Sequence, residues 1–306
     1  MSYTAPESEP PQPRPSRSPL RRPLTVALAA LVPGALLGWG VYAAVGDDGG
    51  GGRADRASAA SASSAPAAGR GAAAPDEDAK DAAPLKGKVV VIDPGHNPEN
   101  FRHPDEINRQ VDIGTHHKEC DTTGTATDAG YPEADFTLDV AHRLRDLLAE
   151  RGATVKLTQD GDRAYGPCVD ERARIGNQAH ADAAVSIHAD GSAAGNRGFH
   201  VILPGAVHRG AADTRAIVAP SARLGARIAD RFAERTGSAP ANYLGDGTGL
   251  VTRTDLGGLN LSTVPKVFLE CGNMRDAADE ALLTSGAWRQ KAAQGISEGI
   301  VSFLRG

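Results

Sequence analysis

The segment Lys88-Val-Val-Val-Ile-Asp-Pro-Gly-His96 decides the fold class. Its run of four β-branched residues ends at Asp93 and a Pro-Gly pair, which predicts a short buried strand followed by a sharp turn. A histidine follows the turn directly. The end of this strand therefore presents a side chain that binds metals or transfers protons.

Further strands and helices alternate on either side of a long polar stretch. Apolar runs predict strands over 153–158, 183–188, 198–203 and 264–270. Apolar residues three or four apart predict helices over 133–151, 169–179, 220–236 and 286–305. We expect the strand at 198–203 to pair beside the strand at 183–188. The alternation indicates an α/β fold with a largely parallel sheet flanked by helices, in a single domain over 87–306.

The first 86 residues have a different character. Residues 1–23 form a basic tail that we expect in the cytoplasm, because cationic residues precede the uncharged run at 24–45. About 20 apolar residues span a bilayer, so this run is long enough for a transmembrane anchor, and a cleaved signal peptide is the alternative. Residues 46–86 are rich in Gly, Ala, Ser, Pro and Asp and predict a disordered linker. Either interpretation places the domain in the cell envelope, membrane-anchored or secreted.

The charge balance argues against one class of partner. The chain has 33 Lys and Arg against 38 Asp and Glu, a net charge of −5. Nucleic-acid binding normally requires a basic face. We therefore expect no nucleic-acid partner.

Four polar residues stand where strands end or a helix begins. His96, His188 and Glu270 each end a predicted strand, and Glu133 opens a predicted helix. Ligands bind beyond the carboxyl ends of the strands in open α/β sheets, but the pattern alone does not bring Glu133 to that edge. Two His and one Glu are a known ligand set for catalytic zinc, and a further carboxylate can accept a proton from the attacking water. The long spacing between these residues makes the pattern by itself only weak evidence for zinc.

Four strings around these residues carry a family resemblance. Val-Ile-Asp-Pro-Gly-His96, Tyr-Pro-Glu133, Val-Ser-Ile-His188-Ala-Asp and Phe-Leu-Glu270-Cys-Gly-Asn-Met resemble, in this order, the signatures of zinc-dependent N-acetylmuramoyl-L-alanine amidases. The chain looks most like the single-domain, cell-envelope members from actinobacteria, and the resemblance covers residues 87–304. It implies a six-stranded sheet, Zn²⁺ held by His96, Glu133 and His188, and Glu270 as the catalytic carboxylate.

The resemblance also implies a reaction. It is hydrolysis of the amide between N-acetylmuramic acid and L-alanine, with peptidoglycan or muropeptides as the partner. The sequence does not determine the oligomeric state, and we expect a monomer. Two alternatives stay open: a zinc peptidase that cuts the stem peptide, and a catalytically silent wall-binding domain. A domain that has lost catalysis would have no chemical need for Glu270, so the presence of Glu270 argues against the wall-binding alternative. One departure concerns Asn97-Pro98, since many family members have a second Gly directly after the first motif; this leaves the breadth of substrates open.

The three cysteines fall in different surroundings. Cys120 and Cys168 lie in loop-like segments, whereas Cys271 continues an apolar strand. Disulfides are favoured outside the cytoplasm, so we expect Cys120 to pair with Cys168 and Cys271 to be a buried thiol. Three free thiols are the alternative. No His/Asn pattern supports a cysteine nucleophile.

The segment 97–130 joins two expected zinc ligands. Its many charged and amide side chains predict that it is too polar to be core. Because both its ends lie at expected ligands, we expect it beside the metal, where it contacts glycan or peptide. It could instead be autoinhibitory, with Glu99, Glu106 or Glu119 at the metal, or an inert surface loop. Two further residues are candidates for supporting the site. Asp93, just before the Pro-Gly turn, either orients a ligand histidine or caps the turn. His200, in the strand after His188, is a candidate for lining the site.

Overall fold

The computed structural model describes residues 83–306. The predicted basic tail, the uncharged run at 24–45 and all but the end of the linker lie outside these residues. No helix within 83–306 combines the length and the apolar character needed to cross a membrane. The strands are β1 Val89–Pro94, β2 Gln110–Asp112, β3 His117–Glu119, β4 Thr154–Leu157, β5 Ala183–Asp190, β6 His200–Pro204, β7 His208–Arg209, β8 Ala212–Asp213, β9 Leu250–Arg253 and β10 Lys266–Asn273. The helices are α1 Pro104–Ile107, α2 Glu133–Glu150, α3 Val169–Gln178, α4 Val218–Thr236, α5 Gly257–Asn260, α6 Ala277–Leu283 and α7 Gly286–Arg305, with 3₁₀ turns at Asn100–Arg102 and Gly245–Gly247.

Six strands form the main sheet, in the order β4-β1-β5-β10-β6-β9. β4, β1, β5 and β10 are parallel, β6 is antiparallel to β10, and β9 is parallel to β6. The predicted α/β fold with a largely parallel sheet is confirmed. The predicted pairing of 198–203 beside 183–188 is wrong, because β10 lies between β5 and β6. Chain neighbours are sheet neighbours only about two-thirds of the time, and here the last strand takes the central place.

The two faces of the sheet have different contents, because side chains alternate along each strand. On one face Val90, Ile92, Val185, Val267 and Leu269 join a large apolar core with residues of α2, α4 and α7. The other face has only a small apolar cluster. It carries, at matching register positions, the polar residues Asp93, Ser186, His188, Lys266 and Glu270.

Two glycines set the distance between α4 and α7. A Cβ at Gly295 would lie 2.8 Å from Cα of Phe232, and one at Gly299 would lie 2.6 Å from Cα of Ile228. Both are closer than real Cβ contacts, and both targets are backbone atoms that cannot rotate away. The helices therefore pack backbone to backbone.

The segment 97–130 is more ordered than its composition suggests. It contains α1 and the β2–β3 hairpin, and the expectation that it is too polar to be core is wrong. Ile107, Val111 and Ile113 are buried, the last two against a disulfide between Cys120 and Cys168 that closes a separation of 48 residues. Because these few aliphatic residues lie among charged ones, the overall composition of the segment does not indicate that they form a core. Cys271 is buried in the main core.

Candidate metal centre and active site

His96 stands on a strained turn directly after β1. Its φ of 62° lies in the left-handed region, which is costly for a residue with a side chain. Its Nδ1 is 3.1 Å from the carbonyl oxygen of Thr122 and 3.5 Å from Oδ1 of Asp121. Because Nδ1–H donates to this carbonyl, Nε2 is left as the metal-binding nitrogen.

His188 lies near the carboxyl end of β5, pressed against the backbone of Gly95. A Cβ at Gly95 would be 2.3 Å from Cε1 of the ring and 2.5 Å from Nδ1, so only glycine leaves room for the imidazole. The opposite side of the ring stacks on Phe268, with centroids 5.1 Å apart and an interplanar angle of 8°. The ring is thus clamped between a backbone turn and an aromatic face.

Glu133, the first residue of α2, reaches the same edge of the sheet. Its Oε1 is 3.2 Å from Nε2 of His96 and 3.0 Å from Nδ1 of His188. The backbone N–H groups of Thr125 and Ala189 donate to its two carboxylate oxygens at 2.9 and 3.1 Å. The structure therefore brings Glu133, which the pattern alone could not place, to His96 and His188.

A second layer of hydrogen bonds lies behind the histidines. Nε2 of His188 is 3.2 Å from Oγ of Ser186, and this hydroxyl donates to Oδ2 of Asp93 at 2.9 Å. Asp93 therefore acts on a histidine through Ser186 rather than directly. The side chain of Asp93 is fully buried and also accepts hydrogen bonds from Thr158 and Lys266, at 2.7 and 2.8 Å.

The charge states of Asp93, Glu133 and His96 each depend on burial and on neighbouring charges, which act in opposite directions. Burial alone would raise the pKa of Asp93, but Lys266 and Arg172 more than offset it and hold the pKa well below its usual range. Burial likewise opposes ionisation of Glu133, and the neighbouring His96 and His188 keep the pKa of its carboxyl below normal. For His96, burial disfavours the charged ring, yet Glu133 and Asp121 raise its pKa well above the ordinary value. The ring of His96 lies between two carboxylates, with Nδ1 facing Asp121 and Nε2 facing Glu133, and this position favours a cation.

The donor set fits a metal ion. Each of His96, Glu133 and His188 offers one ligand atom, and these atoms lie within 4.8 Å of one another. Both histidines use their other ring nitrogen in a hydrogen bond, an arrangement typical of metal-binding histidines. Two imidazoles and one carboxylate are also a set that catalytic zinc takes, with a further position left for water.

Glu270 lies on β10 directly beside His188 in the strand register. Together they line an open cleft of about 230 Å³ that also contains His96, Glu133, Asp190 and Arg253. Burial, followed by the charges of Glu133 and Asp190, raises the pKa of Glu270 well above its ordinary value. A carboxyl group of this kind is suited to holding and returning a proton.

His200 occupies the register position on the other side of Glu270. It is 3% exposed, and burial lowers its pKa. Its Nδ1 has no hydrogen-bond partner among the described residues. Although it is next to Glu270 in the strand register, it is not among the residues that line either cavity at this centre, so the structure does not support the candidate role of His200 in lining the site.

The segment 97–130 lies beside the candidate metal centre. Asp121 and Thr122 contact His96, and the hairpin residues Lys118 and Glu119 line a second cavity of about 190 Å³ that reaches both histidines. Glu99 and Glu106 instead pair with neighbours in their own turns, Arg102 and His103. Asn97, which stands where many family members have a glycine, is buried, and its amide donates to the carbonyl oxygens of Arg163 and Gly166.

The sequence pattern missed the residues that support the ligands: Asp121, Arg172, Ser186 and Lys266. One signal was available for Lys266, because a charged residue stands inside an otherwise apolar strand. Such a residue is rarely buried without a partner, so it predicts an acidic neighbour on an adjacent strand. Asp121 and Arg172 lie in polar surroundings of the sequence and carry no such signal.

Comparisons with known proteins agree with this geometry. The family described as N-acetylmuramoyl-L-alanine amidase matches residues 90–302. N-acetylmuramoyl-L-alanine amidase Rv3717 of Mycobacterium tuberculosis is 42% identical over 236 residues, covering 76% of this chain and 94% of that protein. The probable cell wall amidase LytH of Staphylococcus aureus is 27% identical over 232 residues, covering 74% of this chain and 62% of that protein.

A solved structure shows the same architecture. The crystal structure of the N-acetylmuramyl-L-alanine amidase Ami1 from Mycobacterium smegmatis is 42% identical to this chain, with a TM-score of 0.66. The match covers 72% of this chain and 98% of that one. The actinobacterial resemblance of the four motifs is thereby confirmed, and the chain belongs to the N-acetylmuramoyl-L-alanine amidase family.

Proposed function

We propose that the protein is a zinc-dependent amidase that acts on peptidoglycan or its muropeptide fragments. The bond cut is the amide between the lactyl group of N-acetylmuramic acid and the L-alanine of the stem peptide. The observation that carries the proposal is the convergence of His96, Glu133 and His188, with Glu270 beside them in one open cleft.

The chemistry follows from the positions of these groups. Nε2 of His96, Oε1 of Glu133 and Nδ1 of His188 would hold the zinc ion. When bound, zinc would polarise the scissile carbonyl and lower the pKa of the attacking water. The carboxylate of Glu270 accepts the proton of that water and then transfers it to the departing alanine nitrogen as the C–N bond breaks.

We also propose that the protein acts outside the cytoplasm, as a monomer in the cell envelope. The uncharged run at 24–45 would either anchor it in the membrane or direct its export. Relatives named as cell wall amidases support this setting. Protease added to intact cells should degrade the domain, and full protection in intact but not lysed cells would contradict the proposal.

The reaction is tested by digestion of purified muropeptides, followed by mass spectrometry. The wild type should release a stem peptide with a free L-alanine amine and a glycan with a free lactyl carboxylate. Cleavage between stem residues would instead identify a peptidase. Zinc loading and muropeptide binding without any product would identify a silent wall-binding domain.

The role of Glu270 is tested by Glu270→Gln, which keeps the shape of the side chain but cannot accept the proton. We expect zinc content to be unchanged and the rate to fall by about 10²–10⁴. Glu234→Gln is the matched control, because Glu234 is exposed on α4, which covers the opposite face of the sheet. A near-wild-type rate for Glu270→Gln would remove Glu270 from the mechanism.

A further inference from the structure

Arg172 lies directly behind the metal centre, in the first turn of α3, with its side chain 5% exposed. A guanidinium group has five N–H donors, and every one of them is used here. Nε donates to the carbonyl oxygen of Pro167 at 2.8 Å. Nη1 donates to Oδ1 of Asp93 at 2.8 Å and to the carbonyl oxygen of Pro94 at 2.6 Å. Nη2 donates to the carbonyl oxygen of His96 and to Oδ2 of Asp121, both at 2.9 Å.

Two of these contacts lead to the two histidines by separate routes. The first passes through Asp121, whose other oxygen, Oδ1, is 3.5 Å from Nδ1 of His96. The second passes through Asp93, which accepts the hydroxyl of Ser186 and thereby fixes the group that faces His188. One guanidinium therefore orients the carboxylates behind both imidazoles.

The remaining contacts hold the backbone that carries His96. Arg172 donates to the carbonyl oxygens of Pro94 and His96, the residues on either side of Gly95. His96 has the left-handed φ of 62°, a conformation that persists only where surrounding contacts enforce it. The contacts of Arg172 are the kind of restraint that such a turn requires.

The disulfide fixes the same assembly from the other side. Cys120 immediately precedes Asp121, and Cys168 is the N-cap of α3, so the bond ties the turn that contacts His96 to the helix that carries Arg172. The backbone N–H of Val169 also donates to the carbonyl of Cys120 at 2.7 Å. Arg172 and Asp121 are thus held at a fixed separation.

We propose that Arg172 is a positioning residue of the metal centre, which sets the ring orientation of His96 and His188 and the turn at His96. This inference rests on the ligand set of the proposed function. Lysine cannot substitute, because one ammonium group has three donors at a single point, whereas the five acceptors surround a planar fork.

The test is the zinc affinity of Arg172→Lys, measured by competition with a chromophoric chelator. Loss of a residue that orients metal ligands typically weakens metal binding about 10–100-fold, and we expect a loss in this range with cooperative unfolding retained. Arg163→Lys is the matched control. The guanidinium of Arg163 pairs with Glu171, on the helix that carries Arg172, at 3.0 Å, and among the described residues it makes no contact with His96, Glu133 or His188. A folded Arg172→Lys protein with wild-type zinc affinity would overturn the inference.

A second variant keeps the test decisive if Arg172→Lys does not fold. Asp121→Asn preserves shape and interrupts the route to His96, so it should also weaken zinc binding. In the double variant the two losses should combine to less than their product, because both changes act on one pathway. Wild-type affinity in Asp121→Asn, or fully multiplicative losses, would refute action through Asp121.

The same assay separates this inference from the proposed function. His96→Ala should lose zinc binding if the ligand set is right. If His96→Ala binds zinc as the wild type does, the proposed function fails. If His96→Ala loses zinc while Arg172→Lys keeps it, only the positioning role of Arg172 fails.

Discussion

Replacing Gly95 by alanine adds one methyl group at the point where the backbone touches a proposed zinc ligand. The added Cβ would lie 2.3 Å from Cε1 of His188. Non-bonded carbons are ordinarily about 3.5–4.0 Å apart, so one partner must move by about 1 Å. Gly95 cannot retreat easily, because its N–H donates to Ile187 at 2.9 Å and its carbonyl accepts from Thr137 at 2.7 Å.

The ring of His188 must therefore absorb the displacement. Metal–ligand distances in working sites stay within about 0.2 Å of their ideal values, so a shift of about 1 Å exceeds that tolerance. A misplacement of this size costs about 100-fold in rate. We expect the variant to lose zinc affinity and kcat/KM by about 100-fold or more, since stacking on Phe268 closes the opposite side of the ring.

The assay combines zinc titration, muropeptide turnover and thermal unfolding. Gly176→Ala is the control, because its added Cβ would meet the nearest atom, Cγ2 of Val264, at an ordinary 3.7 Å. His188→Ala gives the effect of removing the ligand altogether. If Gly95→Ala bound zinc with wild-type affinity while His188→Ala did not, the argument from the close contact at Gly95 would be refuted.

Three further predictions follow from the fold and the buried charges. Gly299→Ala should destabilise the protein by about 1–3 kcal/mol in urea unfolding, because α4 and α7 must separate; no change in the midpoint would contradict the close packing. Alkylation of unreduced, denatured protein should label Cys271 alone, and labelling of Cys120 or Cys168 would exclude the disulfide. Burial would raise the pKa of Asp93, but Lys266 and Arg172 outweigh it and lower the pKa in the folded state. The ionised carboxylate therefore stabilises the fold at any pH above the unfolded-state pKa of about 3.9. This stabilisation is lost as the pH falls from about 3.9 towards the lower folded-state pKa. The stability difference between wild type and Asp93→Asn should therefore be largest at neutral pH and shrink in acid, and a constant difference would contradict the sign of this shift.

Much of the fold is predictable because hydrophobic periodicity reports burial directly. The strand at β1 and the long helices α2, α4 and α7 are visible as apolar runs or stripes. Strand order is not visible in this way. β5, β6 and β10 are all apolar runs, and nothing in their own residues specifies that β10 lies between the other two. The ordered structure of the segment 97–130 was not predicted for a related reason. Its core consists of a few aliphatic residues and a disulfide, not of a periodic apolar stripe.

Some residues of the candidate site are likewise recognisable from the sequence, and others are not. His96, His188 and Glu270 are recognisable because each follows an apolar strand, where parallel sheets bind ligands. Glu133 reaches the site only through the loop before α2, and the hydrogen bonds from Thr125 and Ala189 that fix it are tertiary contacts. The proposed ligands are therefore recognisable from local pattern together with resemblance, whereas the residues that orient them depend on how distant segments of the chain meet.

The distribution of buried charge supports a dication at this centre. Behind the histidines, the anions Asp93 and Asp121 are matched by the cations Arg172 and Lys266, so this layer is neutral by itself. In front of it, the buried carboxylate of Glu133 and the half-buried carboxylate of Glu270 are close enough that Glu133 raises the pKa of Glu270. Two carboxylates at this separation repel each other. The layer behind has no net charge left to offset them, and the ring of His96 offsets at most one of the two. A divalent ion between the histidines and Glu133 would supply that compensation, and at the same time it would favour the ionised form of Glu270 that the reaction needs as a base.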